Sequence, residues 1–150
     1  MICLKPFLMV SLLVLLSFRQ SFAQELTSAS PAAPSVSVPT VNEGNFKAQV
    51  IKSKLPVLVD FFATWCGPCR MYSGVVDQVA QEYKGRLKVV RVDVDQSPKL
   101  YGATQSQAVP TSFLFKKGKA LAKWEGAISK DELEGELQQV LALKPPTAKE

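Results

Sequence analysis

Two cysteines separated by two residues, in Trp65-Cys66-Gly67-Pro68-Cys69, are the side chains best suited to covalent chemistry in this sequence. Only a thiolate attacks a disulfide, and a second thiol within reach can resolve the mixed disulfide that results. The flanking residues position the pair. Before it runs Pro56-Val57-Leu58-Val59-Asp60-Phe61-Phe62-Ala63, a short β-branched and aromatic run that reads as a strand buried on both faces. After it, Val75, Val79 and Tyr83 recur every fourth residue with Val76 and Ala80 beside them, the pattern of an amphipathic helix. The cysteines are therefore expected where a buried strand gives way to a helix. There the first-turn N–H groups are unpaired and the helix dipole is positive, which stabilises a thiolate at Cys66. Gly67 gives the turn backbone freedom. Pro68 suits a first helical turn, where its missing N–H would have had no partner.

Two blander uses of the pair are weak. A loop this small restrains the unfolded chain little, so a purely structural disulfide gains little from it. A metal would need two further soft ligands, and the chain has no histidine and only one other cysteine, Cys3, near its start. The lack of histidine also removes imidazole acid–base catalysis.

The chain of 150 residues, 47% hydrophobic and 21% charged, suits one globular domain. Its ends differ in composition from its middle. A weakly positive start, an apolar run from Pro6 to Phe18 and the small-x-small Ser21-Phe22-Ala23 read as a secretory signal peptide over 1–23. The alternative is an uncleaved membrane tether over 6–18. Residues 24–35, rich in Ser, Ala and Pro, read as a flexible linker, and 144–150 as a polar tail. The net charge is +5; without Lys5 and Arg19 of the leader, 16 basic residues face 13 acidic ones. Lys116-Lys117-Gly118-Lys119 reads as a solvated hairpin turn, and no nucleic-acid partner is expected.

Several further stretches carry a family resemblance. Val59-Asp60-Phe61-Phe62-Ala63-Thr64-Trp65-Cys66-Gly67-Pro68-Cys69, Arg91-Val92-Asp93-Val94-Asp95, Val109-Pro110-Thr111 and Trp124-Glu125-Gly126-Ala127 resemble thioredoxin, in order, over about 36–143. The resemblance implies an α/β thioredoxin-like fold, a central mixed β-sheet flanked by helices on both faces. It implies Cys66 as nucleophile, Cys69 as resolving thiol and Cys66–Cys69 as a redox-active disulfide. An acid in an apolar strand should have a raised pKa, and the resemblance makes Asp60 the proton acceptor for the second thiol. Arg91 stands where the family usually has lysine and is expected to tune Asp60. Pro110 resembles the family's cis-proline facing the cysteines, leaving the Val109 backbone able to pair with a substrate peptide. Gly126 and Ala127 resemble a small rim beside it. Trp65, Gly67 and Pro68 complete the expected docking surface. Gly74 departs from a common helix proline, and Ala103–Ala108 is less apolar than the family there.

The remaining elements follow from local patterns. Val36 to Val41 alternates as a first edge strand, and Phe46, Val50 and Ile51 mark a short helix. Leu87–Val94 reads as a strand parallel to the one before the cysteines. Pro98 to about Gly102 starts a short helix, and Thr111–Phe115 with Ala120–Trp124 a hairpin. Ser129-x-x-Glu132 caps a last helix carrying Leu133, Leu137, Val140 and Leu141.

The expected function is a thiol–disulfide oxidoreductase, first of all a protein-disulfide reductase in an exported compartment. A disulfide oxidase or isomerase is the runner-up, and a non-catalytic binding module a third reading. No cofactor or metal is required. The expected partners are protein disulfides and an electron-donor protein, membrane-borne if the compartment is periplasmic, and a monomer is expected.

Overall fold

A computed structural model of the chain describes residues 37–143. The proposed leader, 1–23, the linker, 24–35, and the tail, 144–150, lie outside the described residues.

In chain order the elements are α1 (Lys47–Ile51, a π-helical turn), β1 (Val57–Phe62), α2 (Gly67–Glu82), β2 (Lys88–Asp93), α3 (Pro98–Ala103), β3 (Thr111–Lys116), β4 (Lys119–Glu125) and α4 (Lys130–Leu141). The sheet order is β2-β1-β3-β4. β1 runs parallel to β2 and antiparallel to β3, and β3 pairs antiparallel with β4. This is the mixed sheet expected from the sequence. The strand before the cysteines is central, and Val57 to Phe61 are all buried.

Alternation along the strands divides the core into two layers. Leu58, Val89 and Leu114 point to the face covered by α2 and α4, where they meet Tyr72, Val76, Val79, Leu133 and Leu137. Val57, Val59, Phe61, Val90, Val92 and Phe113 point to the other face, against Val50 of α1 and, at its edge, Tyr101 of α3. Burying one such side chain contributes about 1.5–3 kcal/mol, so each face is held by many such contributions. Asp60 has the same parity as Leu58 and therefore faces α2.

The hairpin turn between β3 and β4 is two residues, Lys117 and Gly118, with φ of 51° and 77°. Paired positive φ values match the right-handed twist of the strands. A Cβ on Gly118 would stand 3.2 Å from the Ile51 carbonyl, so a larger residue would be both crowded there and strained by its φ. Ser129 caps α4 as expected, its Oγ accepting from the Glu132 N–H at 3.2 Å.

The expected first strand reduces to a single bridge between Thr40 and Arg91. The Pro39 carbonyl accepts from Arg91 N–H at 3.0 Å and Val41 N–H donates to the Arg91 carbonyl at 2.7 Å, both on the outer edge of β2. Pro39 has no N–H of its own, so the ladder does not extend.

Candidate active site

Both cysteines sit at the C-terminal end of β1, where α2 begins. They form a disulfide with S–S 2.08 Å and Cα–Cα 5.3 Å. Cys66 is the N-cap of α2 and Pro68 lies in its first turn. The Cys69 N–H donates to Cys66 Sγ at 3.1 Å. In the reduced form the same N–H, together with the helix dipole, would favour negative charge on Cys66. Both residues are nearly buried, with 4% and 5% of their surface exposed, so only a narrow window admits a substrate sulfur.

The Val109–Pro110 bond is cis. It brings the Val109 carbonyl to 3.7 Å from Cys66 Sγ. The Val109 N–H has no hydrogen-bond partner among the described residues. Gly126, at φ 88°, donates its N–H to the Pro110 carbonyl at 2.8 Å, which ties the end of β4 to this loop. Ala127 beside it is exposed. Trp65 is 67% exposed, and its Nε1–H donates to Asp95 Oδ2 at 2.9 Å. Gly67 is open, with nothing near the place of a Cβ. Trp65, Gly67, Pro68, Val109, Pro110, Gly126 and Ala127 are thus all brought to one end of the sheet.

Asp60 lies behind the pair, 2% exposed. In the register β1 sets beside β2, Asp60 is the partner of Arg91. Arg91 Nε stands 3.5 Å from Asp60 Oδ2, and its Nη2 reaches Asp77 Oδ1 at 3.2 Å and the Ser73 carbonyl at 2.7 Å. Burial pushes the Asp60 carboxyl up from 3.8 to about 6; the Arg91 guanidinium pulls it down and the Asp77 charge adds a further rise. Asp60 Oδ1 is buried without a hydrogen-bond partner among the described residues. Asp60, Cys69, Ser73 and Arg91 line one cleft of about 210 Å³.

Four residues that meet the site or its supports, Asp77, Asp95, Tyr72 and Ser112, were given no role from the sequence. Asp77 lies eight residues after Cys69 and four after Ser73, hence on the same side of α2, and this spacing could have placed it over Arg91. Asp95 lay within a quoted motif but carried no role there. Tyr72 and Ser112 share a hydrogen bond of 3.1 Å inside the core, and burial pushes the tyrosine up to about 12. Helix α2 runs unbroken through Gly74.

A helix-capping cysteine, a second thiol one turn on and a buried carboxyl behind them define a thiol–disulfide oxidoreductase. The Thioredoxin family model matches residues 37–139. Thioredoxin of Porphyra purpurea is 42% identical over 107 residues, covering 71% of this chain and 100% of the relative. Thioredoxin of Synechocystis sp. is 42% identical over 103 residues, 69% and 96% of the two chains. The chloroplastic M-type thioredoxin of Chlamydomonas reinhardtii is 46% identical over 90 residues, 60% and 64%. The chain belongs to the thioredoxin family. It acts on protein disulfides and draws its electrons from a reductant partner.

Proposed function

We propose that this chain is an exported protein-disulfide reductase in which Cys66 attacks, Cys69 resolves and Asp60 accepts the proton of Cys69. The observation that carries the residue roles is the placement of Cys66 at the N-cap of α2, with Cys69 and Asp60 lining one cleft behind it.

The cycle starts from the dithiol. The Cys66 thiolate attacks one sulfur of a substrate disulfide; a mixed disulfide forms and the substrate's other sulfur leaves as thiolate. Cys69 transfers its proton to Asp60, either directly or through water in the shared cleft, which is roomy enough for it. With the carboxyl at about 6, Asp60 is mostly ionised at neutral pH and ready to accept. The Cys69 thiolate attacks Cys66 Sγ, the Cys66–Cys69 bond forms and the second substrate thiolate leaves. Two electrons have passed to the substrate, and the reductant partner returns the pair to the dithiol. An extended substrate segment would be held by the free Val109 N–H and carbonyl, with exposed Trp65 on one side and the Gly126-Ala127 rim on the other. Arg91 keeps Asp60 from rising further and so sets the pH at which resolution works.

The leader supports export, and with it a membrane-borne donor that could deliver electrons into an oxidising space. The Gly-Pro spacer supports the reducing direction. The domain would act as a monomer. The test is the reduction potential of the Cys66–Cys69 pair, read by alkylation after equilibration in graded thiol–disulfide buffers. A value near the thioredoxin benchmark of about −270 mV is expected. A value near about −120 to −180 mV, the range of oxidases and isomerases, would make disulfide formation the function instead. Intact mass of exported protein checks the leader: cleavage leaves Gln24 as the first residue.

A further inference from the structure

The two ends of the sheet differ in charge. At the end carrying the cysteines, Asp93 closes β2, Asp95 holds Trp65 and Glu125 closes β4 in an ion pair with Lys123, against the cations Arg70 and Lys99. At the opposite end the balance reverses. Lys116, Lys117 and Lys119 form the β3–β4 turn. Gly118 packs on Ile51, which places Lys52 and Lys54 beside that turn. The Lys88 N–H donates to the Pro56 carbonyl, which brings the loop with Lys84 to the same end. Six lysines at this end, 52, 54, 84, 116, 117 and 119, are exposed, and none takes part in an ion pair among the described residues. Two acids beside this end, Glu82 and Glu134, share Lys130, at 2.9 and 3.1 Å. Four strands at about 4.8 Å spacing make the basic end roughly 15 Å wide.

The chain also enters the domain at this end. The Thr40–Arg91 bridge is parallel. Ser37, three residues earlier, therefore lies toward the Lys88 end of β2, away from the cysteines. Upstream of it the sequence holds 36 residues, including the apolar run Pro6–Phe18.

We propose that the lysine-rich end is a docking surface for an anionic phospholipid bilayer, which holds the domain with Trp65 and the cysteines pointing away from the lipid. Cations near an anionic leaflet gain from its surface potential, and the gain is lost with salt. Asp93 and Asp95 at the other end are repelled, so charge fixes orientation as well as attachment. A bilayer is favoured over an acidic protein because the described chain enters the domain at this end, after 36 residues whose sequence includes the apolar run Pro6–Phe18. The inference goes beyond the redox reaction and rests on the reading in which residues 6–18 stay attached as a tether.

The test is lysine footprinting. The full chain is acetylated by a water-soluble reagent in the presence of phosphatidylcholine vesicles or of vesicles containing phosphatidylglycerol, and labelling is read by mass spectrometry. The phosphatidylglycerol vesicles should slow labelling at Lys54, Lys84, Lys116, Lys117 and Lys119 several-fold. Lys99 and, after reduction, Cys66 should react as in solution, and high salt should abolish the protection. Each lysine removed should weaken docking about fivefold. The variant K116Q/K117Q/K119Q should therefore lose the protection at Lys54 and Lys84, with its leader, and any attachment through it, unchanged. Equal protection by neutral vesicles, or protection at Lys99 instead, would overturn the proposal. Protection by polyglutamate with none by vesicles would overturn it in favour of an acidic protein.

Discussion

Replacing Asp60 with asparagine separates the carboxyl's cost to the fold from its use in the reaction. The two side chains have nearly the same shape, so packing under α2 is kept. The carboxyl titrates at about 6 in the folded protein and at 3.8 ordinarily. Between those values the folded chain holds a proton that the unfolded chain has released, so this group's effect on stability worsens as pH rises. A difference of about two units corresponds to about 3 kcal/mol once both states are ionised. Arg91 is not stranded by the change, because it keeps Asp77 at 3.2 Å and the Ser73 carbonyl at 2.7 Å. Urea unfolding of the oxidised wild type and Asp60→Asn at pH 4, 6 and 8 reads the effect. The stability difference should shift in favour of the variant by about 2–3 kcal/mol from pH 4 to pH 8. At pH 8 this is on the order of 10 °C in Tm. The same variant should resolve mixed disulfides more slowly near neutral pH. A difference that is the same at pH 4 and pH 8 would refute the assignment of a raised carboxyl to Asp60.

Three other substitutions follow from the same geometry. Arg91→Met removes the cation that lowers Asp60, so the pH midpoint of mixed-disulfide release should move upward; an unmoved midpoint in stopped-flow measurements would deny Arg91 its tuning role. Tyr72→Phe leaves the buried Ser112 hydroxyl without its partner and should cost about 1–3 kcal/mol in urea unfolding, of which Tyr72→Phe/Ser112→Ala should recover part. Gly126→Ala forces a side chain to φ 88° and should cost about 1–2 kcal/mol, while a Cβ there meets no neighbour; a neutral outcome would place the strain elsewhere.

The centre of the molecule was legible because its signals are local. The apolar run of β1, the cysteine spacing and the four-residue repeat of α2 each lie within one window, and each depends on little outside it. The β3–β4 turn and the Ser129 cap were legible for the same reason. The first strand was overread: Val36–Val41 alternates, but alternation does not register that Pro39 brings no donor to the ladder. The spacing of Phe46, Val50 and Ile51 suits a helical turn of either period, and the Lys52 N–H in fact reaches back five residues to the Lys47 carbonyl. Contacts between distant residues were invisible. Trp65 and Asp95 are 30 residues apart, and Tyr72 and Ser112 are 40 apart. Lys116-Lys117-Gly118-Lys119 forms the solvated turn its sequence suggests, and only the fold brings Lys52, Lys54 and Lys84 to the same end.

The assignment of Cys66 as nucleophile is tested most directly by trapping. Cys69→Ser leaves the attacking thiol and removes the resolving one, so the mixed disulfide cannot be released by the chain itself. The reduced variant is mixed with a protein disulfide, quenched with acid and digested for mass spectrometry. The substrate should be found joined to Cys66, and the reciprocal Cys66→Ser variant should trap none. Substrate attached through Cys69 in the Cys66→Ser variant, with none at Cys66 in Cys69→Ser, would contradict the account.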